Sequence, residues 1–287
     1  MKESATKLIN NSGLTRFASE LVDSLMYSIR VRSKAVNEEE LEIGASKIGG
    51  SPDLPSSIQW PHNNSGVPLS FIAQFNMAEV APYDIEGILP KTGYLYFFFE
   101  ADEQPWGFDP NDHGNWRAMH YDGKEPLYRT LAPSKLADEH RFLPRSVEFS
   151  NEITLPPWES IYIENLRLTD KETDLYLDLM EEVAELYGGD ELVHKLLGYP
   201  DSIQGDMQLE CQLVSNGLYC GDSTGYNDPR RRALEGDALN WRLLLQIDSE
   251  EDAGMIWGDV GRIYFWIQED KLQAHDFSNV WLILQCY

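Results

Sequence analysis

Three short stretches of this chain occur twice in the same order, and that repetition constrains the fold more than any other feature. KIGGSPD (Lys47–Asp53) returns as KLLGYPD (Lys195–Asp201), so both read K-x-x-G-x-P-D. FIAQFN (Phe71–Asn76) returns as LLLQID (Leu243–Asp248), and GYLYFFF (Gly93–Phe99) as GRIYFWI (Gly261–Ile267). A fainter echo links NWRAMHY, 115–121, to NVWLILQCY, 279–287. Fixed order with unequal spacing reads as a tandem duplication of one β-rich unit whose copies differ in loop length. The expected fold is α+β and predominantly β. An N-terminal amphipathic helix occupies 1–35, a first repeat 36–157, a helical connector 158–194 and a second repeat 195–287. The two repeats are expected to pack as one compact unit.

Alternation along the repeated words assigns faces, because successive side chains of a strand point to opposite sides. Leu69, Phe71, Ala73 and Phe75 share one side, with Ser70, Ile72, Gln74 and Asn76 on the other. Leu95, Phe97 and Phe99 oppose Tyr94, Tyr96 and Phe98. In the second copy Leu243, Leu245, Ile247, Ile263, Phe265 and Ile267 oppose Gln246, Tyr264 and Trp266. The purely apolar side must be core. The side carrying Gln74, Tyr96, Phe98, Gln246, Tyr264 and Trp266 is either the interface between the copies or an aromatic groove for a ligand or peptide. Buried Gln and Tyr need hydrogen-bond partners in both cases.

The glycines of KIGGSPD raise the question of a phosphate loop. Such a loop leads into a helix N-terminus, whereas here Gly50 is followed by Pro52, which fixes φ, and by Asp53, which can bond nearby backbone donors. The second copy keeps Gly198, Pro200 and Asp201 but has Leu197 in the place of Gly49. Both stretches therefore read as structural turns.

Helical periodicity appears twice. Thr15 is placed to cap a helix running through Phe17, Leu21, Leu25 and Ile29. Thr169 and Glu172 form a capping box ahead of Leu175, Leu179 and Val183, with Gly188 and Gly189 as the stop. Asp190 reads as the cap of a short helix, ELVHKLL. The passage up to LPPWES reads as polar loop, and residues 207–287 as strands.

The 287 residues carry 23 Lys and Arg against 48 Asp and Glu, a formal net charge of −25. That field repels phosphate backbones and anionic lipid and attracts basic surfaces. Nucleic acid and membrane are excluded as partners, and a basic protein or peptide is favoured. Three cysteines without a C-x-x-C pattern read as free thiols in a reducing compartment. With no apolar leader and no long apolar run, a cytoplasmic protein is expected.

Chemistry is sparse. No phosphate-loop, nucleophile-elbow, zinc-protease or calcium-loop pattern occurs, so no catalytic residue, metal ligand or cofactor is assigned. His194 reads as a capping or packing residue. The run DSEED, Asp248–Asp252, reads as a solvated loop, and NDPRRRALEGD, Asn227–Asp237, as a salt-bridged one. In WGDVG, Trp257 and Asp259 join the binding candidates, Trp257 either as a partner-facing anchor or as core.

From about Ser46 onward the chain resembles the YwqG-like family of bacterial proteins, on SKIGGSPDLP…WP, PLSFIAQFN, LPKTGYLYFFF, LLGYPDSIQGDMQ and WRLLLQIDSEEDAGMIWGDVGRIYFWI. The G-G-x-P, F-x-x-Q and G-x-L-x-F-F pieces are more distantly similar to eukaryotic proteins related to programmed cell death protein 2. Members of that group act as chaperones for a ribosomal protein, and they carry cysteine-rich zinc-binding insertions that this chain lacks. The charge of −25, the duplicated aromatic face and the missing catalytic set point to a non-catalytic binding protein, a chaperone or sequestering partner for a basic segment. The alternative is an enzyme or small-ligand binder using a pocket between the repeats.

Overall fold

The computed structural model describes residues 1–188 and 192–287. Its strands in chain order are β1 (Met26–Ala35), β2 (Lys47–Ile48), β3 (Asp53–Pro55), β4 (Ser70–Asn76), β5 (Tyr94–Phe99), β6 (Trp116–Tyr121), β7 (Leu127–Arg129), β8 (Arg145–Thr154), β9 (Lys195–Leu196), β10 (Trp241–Asp248), β11 (Arg262–Gln268) and β12 (Trp281–Gln285). Ten of them form one antiparallel sheet in the order β12-β11-β10-β9-β1-β8-β2-β4-β5-β6, while β3 and β7 pair separately. The order runs outward alike on both sides of the central β1–β8 pair. One side continues through β2, β4, β5 and β6, the other through β9, β10, β11 and β12. β1, from the start of the chain, lies against β9, and β8 lies against β2.

The sheet folds its apolar face onto itself. Phe97 of β5 meets Phe265 of β11 with ring centroids 5.0 Å apart. The edge strands converge where Trp116 packs edge-on against Trp281 at 5.1 Å, and the Trp116 indole N–H donates to the Val280 carbonyl at 2.8 Å. The helix Met207–Ser215 adds Met207, Cys211, Leu213 and Val214 to this core. A smaller core sits behind β8, where Leu21, Tyr176 and Leu179 from helical segments pack with Ile153 and Leu155. Edge-to-face aromatic pairs add to the burial of such large side chains.

Several expectations from the sequence are corrected. Residues 1–35 are not one helix: helices span Lys2–Asn11 and Ala18–Ser24, and Met26–Ala35 is β1. Leu25 and Ile29 fit a helical stripe, but Tyr27, Ile29 and Val31 also alternate. Ten cross-strand positions on β8, from Met26↔Thr154 to Ala35↔Arg145, decide between the two. Thr15 caps nothing, since the second helix starts after Phe17. The supposed loop before LPPWES contains β8. In ELVHKLL, Lys195 and Leu196 are strand, and Gly189 and Asp190 lie outside the described residues. The stretch 207–287 opens with a helix capped by the Asp206 carboxylate, which accepts from the Gln208 and Leu209 amides. The capping box of Thr169 and Glu172 is present on the helix Asp170–Glu185.

The faces of β4 also differ from simple alternation. A bulge between Phe71 and Ala73 changes the phase, and the same irregularity lies between Leu243 and Leu245 of β10. An extra residue in one strand does this. Leu69 and Phe71 therefore pack with Tyr96 and Phe98 on the outer face, whereas Ile72 joins the main core. The two sides of the sheet meet through the apolar face, and the face bearing Gln and Tyr is not the interface between them.

Candidate binding site

Each half of the sheet carries on its outer face a buried cluster built from the same four residue types. In the first half the Asp53 amide donates to Gln74 Oε1 at 2.7 Å, and Gln74 Nε2 donates to Asp53 Oδ2 at 2.8 Å and to the Ala45 carbonyl at 2.8 Å. Lys47 Nζ stands 3.2 Å from Asp53 Oδ2, and the Tyr96 hydroxyl donates to the Asp53 carbonyl at 2.7 Å. In the second half the Asp201 amide donates to Gln246 Oε1 at 2.9 Å. Gln246 Nε2 donates to Asp201 Oδ2 at 2.8 Å and to the Val193 carbonyl at 2.5 Å. Lys195 Nζ is 2.8 Å from Asp201 Oδ2, and the Tyr264 hydroxyl donates to the Asp201 carbonyl at 2.8 Å.

The turn between lysine and aspartate makes this closure possible. Gly50 and Gly198 have φ of 71° and 73°, a region open to glycine, and the following proline sends the chain back over the sheet. Gly49 and Leu197 also match, at φ 64° and 61°. A Cβ on Gly49 would lie 2.3 Å from the Leu143 carbonyl oxygen, so the first turn needs glycine for space as well as for φ. The exchange of glycine for leucine therefore leaves the backbone conformation unchanged.

The halves differ in what surrounds the aspartate. Around Asp53, Arg129 of β7 places Nε 2.5 Å from Oδ1, and its other nitrogens donate to the Glu38 carbonyl at 2.9 Å and the Leu41 carbonyl at 3.1 Å. Asp53 and Lys47 are fully buried. Burial opposes the charge of Asp53, but Arg129 and Lys47 outweigh it and hold the carboxyl below its usual range. Lys47 is pushed down, chiefly by burial.

Around Asp201 no arginine among the described residues reaches the carboxylate; Arg262 donates instead to the Asp201 carbonyl at 2.9 Å. Lys195 reaches a second carboxylate, Glu152 Oε1 at 3.1 Å, as Lys47 reaches Glu38 Oε1 at 3.6 Å, and Arg30 Nη2 holds Glu152 Oε2 at 2.8 Å without touching Asp201. Asp201 Oδ1 has no partner among the described residues, and its side chain is 39% exposed. Asp201 lines a cavity of about 280 Å³ together with Arg30, Glu152 and Lys195. Met180, Val183, Tyr187, Tyr199 and Trp158 form part of its wall, with Glu159 beside them. Burial again opposes ionisation of Asp201, yet Lys195 and Gln246 keep its carboxyl below the usual range.

Gln74, Tyr96, Gln246 and Tyr264 are thus brought together in pairs as parts of the clusters, and none presents a free surface. Phe98 packs against Trp60 and Phe71. Trp257 is fully buried between Phe99 and Phe142, so it serves the core. Trp266 is buried and Asp259 exposed, both away from the cavity lining. The reading of DSEED as a solvated loop holds for Glu251 and Asp252, which are exposed, and is corrected for Asp248 and Glu250. Asp248 binds Arg262 at 3.0 Å, Glu250 binds Arg145 at 2.9 Å, and both carboxylates are buried. His194 accepts from the Asp248 amide through Nδ1 at 3.0 Å, with Nε2 3.4 Å from Glu250. Its role is packing and bonding within this network. The segment 227–237 carries the expected ion pairs, Arg230–Asp228 and Arg231–Glu235, but it is not a loop: Arg231–Leu234 is helical and a 3-10 turn begins at Glu235.

Sequence reasoning missed Lys47, Lys195, Arg30, Glu152 and Arg129. The lysines had a signal, because K-x-x-G-x-P-D conserves lysine between the two stretches as firmly as aspartate. The other three come from strands far away in sequence. Among the described residues, no group of three or more His, Cys, Asp or Glu side chains is arranged to hold a metal ion, and no helix is long and apolar enough to cross a membrane.

Fold and site together define an α+β protein in which a folded-over antiparallel sheet carries two buried Lys-Asp-Gln-Tyr clusters. Residues 46–286 match the family described as a domain of unknown function (DUF1963), and the chain belongs to that family. No curated protein matches it significantly.

Proposed function

We propose that the protein is a non-catalytic binding module that receives a basic segment of another protein at the cavity beside Asp201, as a chaperone or sequestering partner in the cytoplasm. The observation that carries this reading is that Asp201, whose carboxylate Oδ1 has no partner among the described residues, lines a partly aromatic cavity. The net charge of −25 supports it, because such a field draws in cations over long range. The three buried free thiols are consistent with a reducing compartment.

We read the two halves as copies of one ancestral unit, similar in its motifs to the YwqG-like proteins. The matched bonds, the shared bulges and the strand order support this. So does the register: Arg30 faces Lys195 where Ser146 faces Lys47, and that correspondence carries Arg32 onto Glu148, its own cross-strand partner. A twofold axis through that pair requires this.

The test is fluorescence anisotropy of a labelled peptide rich in Lys and Arg against the whole protein, with a neutral peptide of equal length as control. Binding of the basic peptide only, weakened by salt and by Trp158→Ala, is expected. Equal binding of both peptides, or none of either at low salt, overturns the reading.

A further inference from the structure

We infer that the group received at Asp201 is a guanidinium, the side chain of an arginine in the bound segment. This rests on the binding reading above and specifies its chemistry. The argument is internal to the molecule. Two aspartates sit in the same bonds to lysine, glutamine and tyrosine; in each the lysine and glutamine use Oδ2 and the tyrosine the backbone carbonyl. The remaining oxygen, Oδ1, is the point of difference. At Asp53 it is covered by Arg129, whose Nε donates to it while both terminal nitrogens donate to backbone carbonyls. At Asp201 the same atom has no partner among the described residues, and the residue lines a cavity.

The protein therefore displays, in its first half, the group that completes this cluster. Arginine suits the place better than lysine. A planar fork can meet a carboxylate with one edge and carbonyls with the other, and it is less strongly hydrated than an ammonium. The aromatic rings of Trp158, Tyr187 and Tyr199 on the cavity wall offer faces on which a guanidinium can stack. The floor is balanced, since Arg30 and Lys195 answer Glu152 and Asp201, and Glu159 on the wall leaves one carboxylate in excess for an incoming cation.

The experiment titrates the full-length protein with three capped amino acids, followed by ligand-observed NMR. These are N-acetyl-arginine amide, N-acetyl-lysine amide and N-acetyl-citrulline amide, the last a neutral isostere of arginine. Arginine amide is expected to bind at least tenfold more tightly than lysine amide, with no binding of citrulline. Asp201→Asn should abolish its binding and Trp158→Ala should weaken it several-fold. Trp158 is 47% exposed, so its variant serves should Asp201→Asn fold poorly. Lysine or citrulline binding as well as arginine sinks the inference, as does arginine binding that neither variant changes. If lysine-rich peptides bind while arginine amide does not, the guanidinium assignment fails and the binding module stands. If no cation of any kind binds, both fail.

Discussion

Lys47 Nζ and Asp53 Oδ2 stand 3.2 Å apart with neither side chain exposed to solvent, whereas Asp201, in the same relation to Lys195, is partly exposed and lines a cavity. Removing one member of a buried pair leaves the other charged and unpaired, which costs about 3–5 kcal/mol. Asp53→Asn is expected to lower unfolding stability by about 3 kcal/mol, the low end of that range, because Lys47 and Arg129 keep Glu38 at 3.6 Å and 3.3 Å. Asp201→Asn should cost ~1 kcal/mol, because Lys195 retains Glu152 and the site is partly solvated. Urea denaturation of the two variants checks the difference, and equal losses contradict it.

Tyr96 and Tyr264 each donate one hydrogen bond to the carbonyl of the cluster aspartate. Tyr96→Phe and Tyr264→Phe should each cost roughly 0.5–1.5 kcal/mol. The clusters share no partner, so the double variant should lose the sum of the two within about 0.5 kcal/mol.

Gly49→Ala places a Cβ 2.3 Å from the Leu143 carbonyl oxygen at a φ of 64°. It should destabilise by more than about 2 kcal/mol, since the left-handed conformation alone costs an L-residue about 1–2 kcal/mol. Gly205→Ala has a similar φ, 83°, but meets nothing within 4 Å. Its loss should be confined to the conformational part, as thermal unfolding of the pair will report.

Acid should weaken the fold. Asp53, Asp201 and Glu250 all have carboxyls held below their usual range in spite of burial, by their cationic and hydrogen-bonding partners. Between the folded and unfolded values the unfolded chain binds more protons, so their contribution is complete above about pH 4 and drains as pH falls through the folded values. The urea midpoint should therefore decline below about pH 4.

Glu210 behaves oppositely. Burial first, then the nearby Asp206, push its carboxyl up to about 8. The folded state then holds the proton more tightly than the unfolded chain, and stability falls as pH rises from the model-compound range through 8. Glu210→Gln removes that titration. It should stabilise the protein at pH 8 and have little effect at pH 4, read as thermal midpoints across that range.

Much of the sheet was legible because β4, β5, β6, β10 and β11 are uninterrupted apolar or alternating words bounded by turn residues. The capping box at Thr169 was legible because capping is local. β1 was not, since Leu25 and Ile29 satisfy a helical period until the ten-residue ladder with β8 is known. The bulge at Phe71–Ala73 leaves no compositional mark, so the face of Ile72 could not be assigned. The aspartate turns were visible as repeated words, but their meaning lay in Lys47, Arg129 and Glu152, whose partners are long-range. Burial of Asp248 and Glu250 was hidden for the same reason, because Arg262 and Arg145 arrive from other strands.

The position of β1 has a consequence for biosynthesis. Both of its neighbours, β8 and β9, are translated more than a hundred residues later, on the order of ten seconds at typical elongation rates. Throughout that interval a ten-residue strand leaves the ribosome with both edges open, a template for association with other nascent chains. Arg30, Arg32 and Lys34 interrupt its apolar positions, and such charges act as gatekeepers against premature pairing. The same arginine that ends up holding Glu152 thus keeps the strand soluble while its partner is still being made.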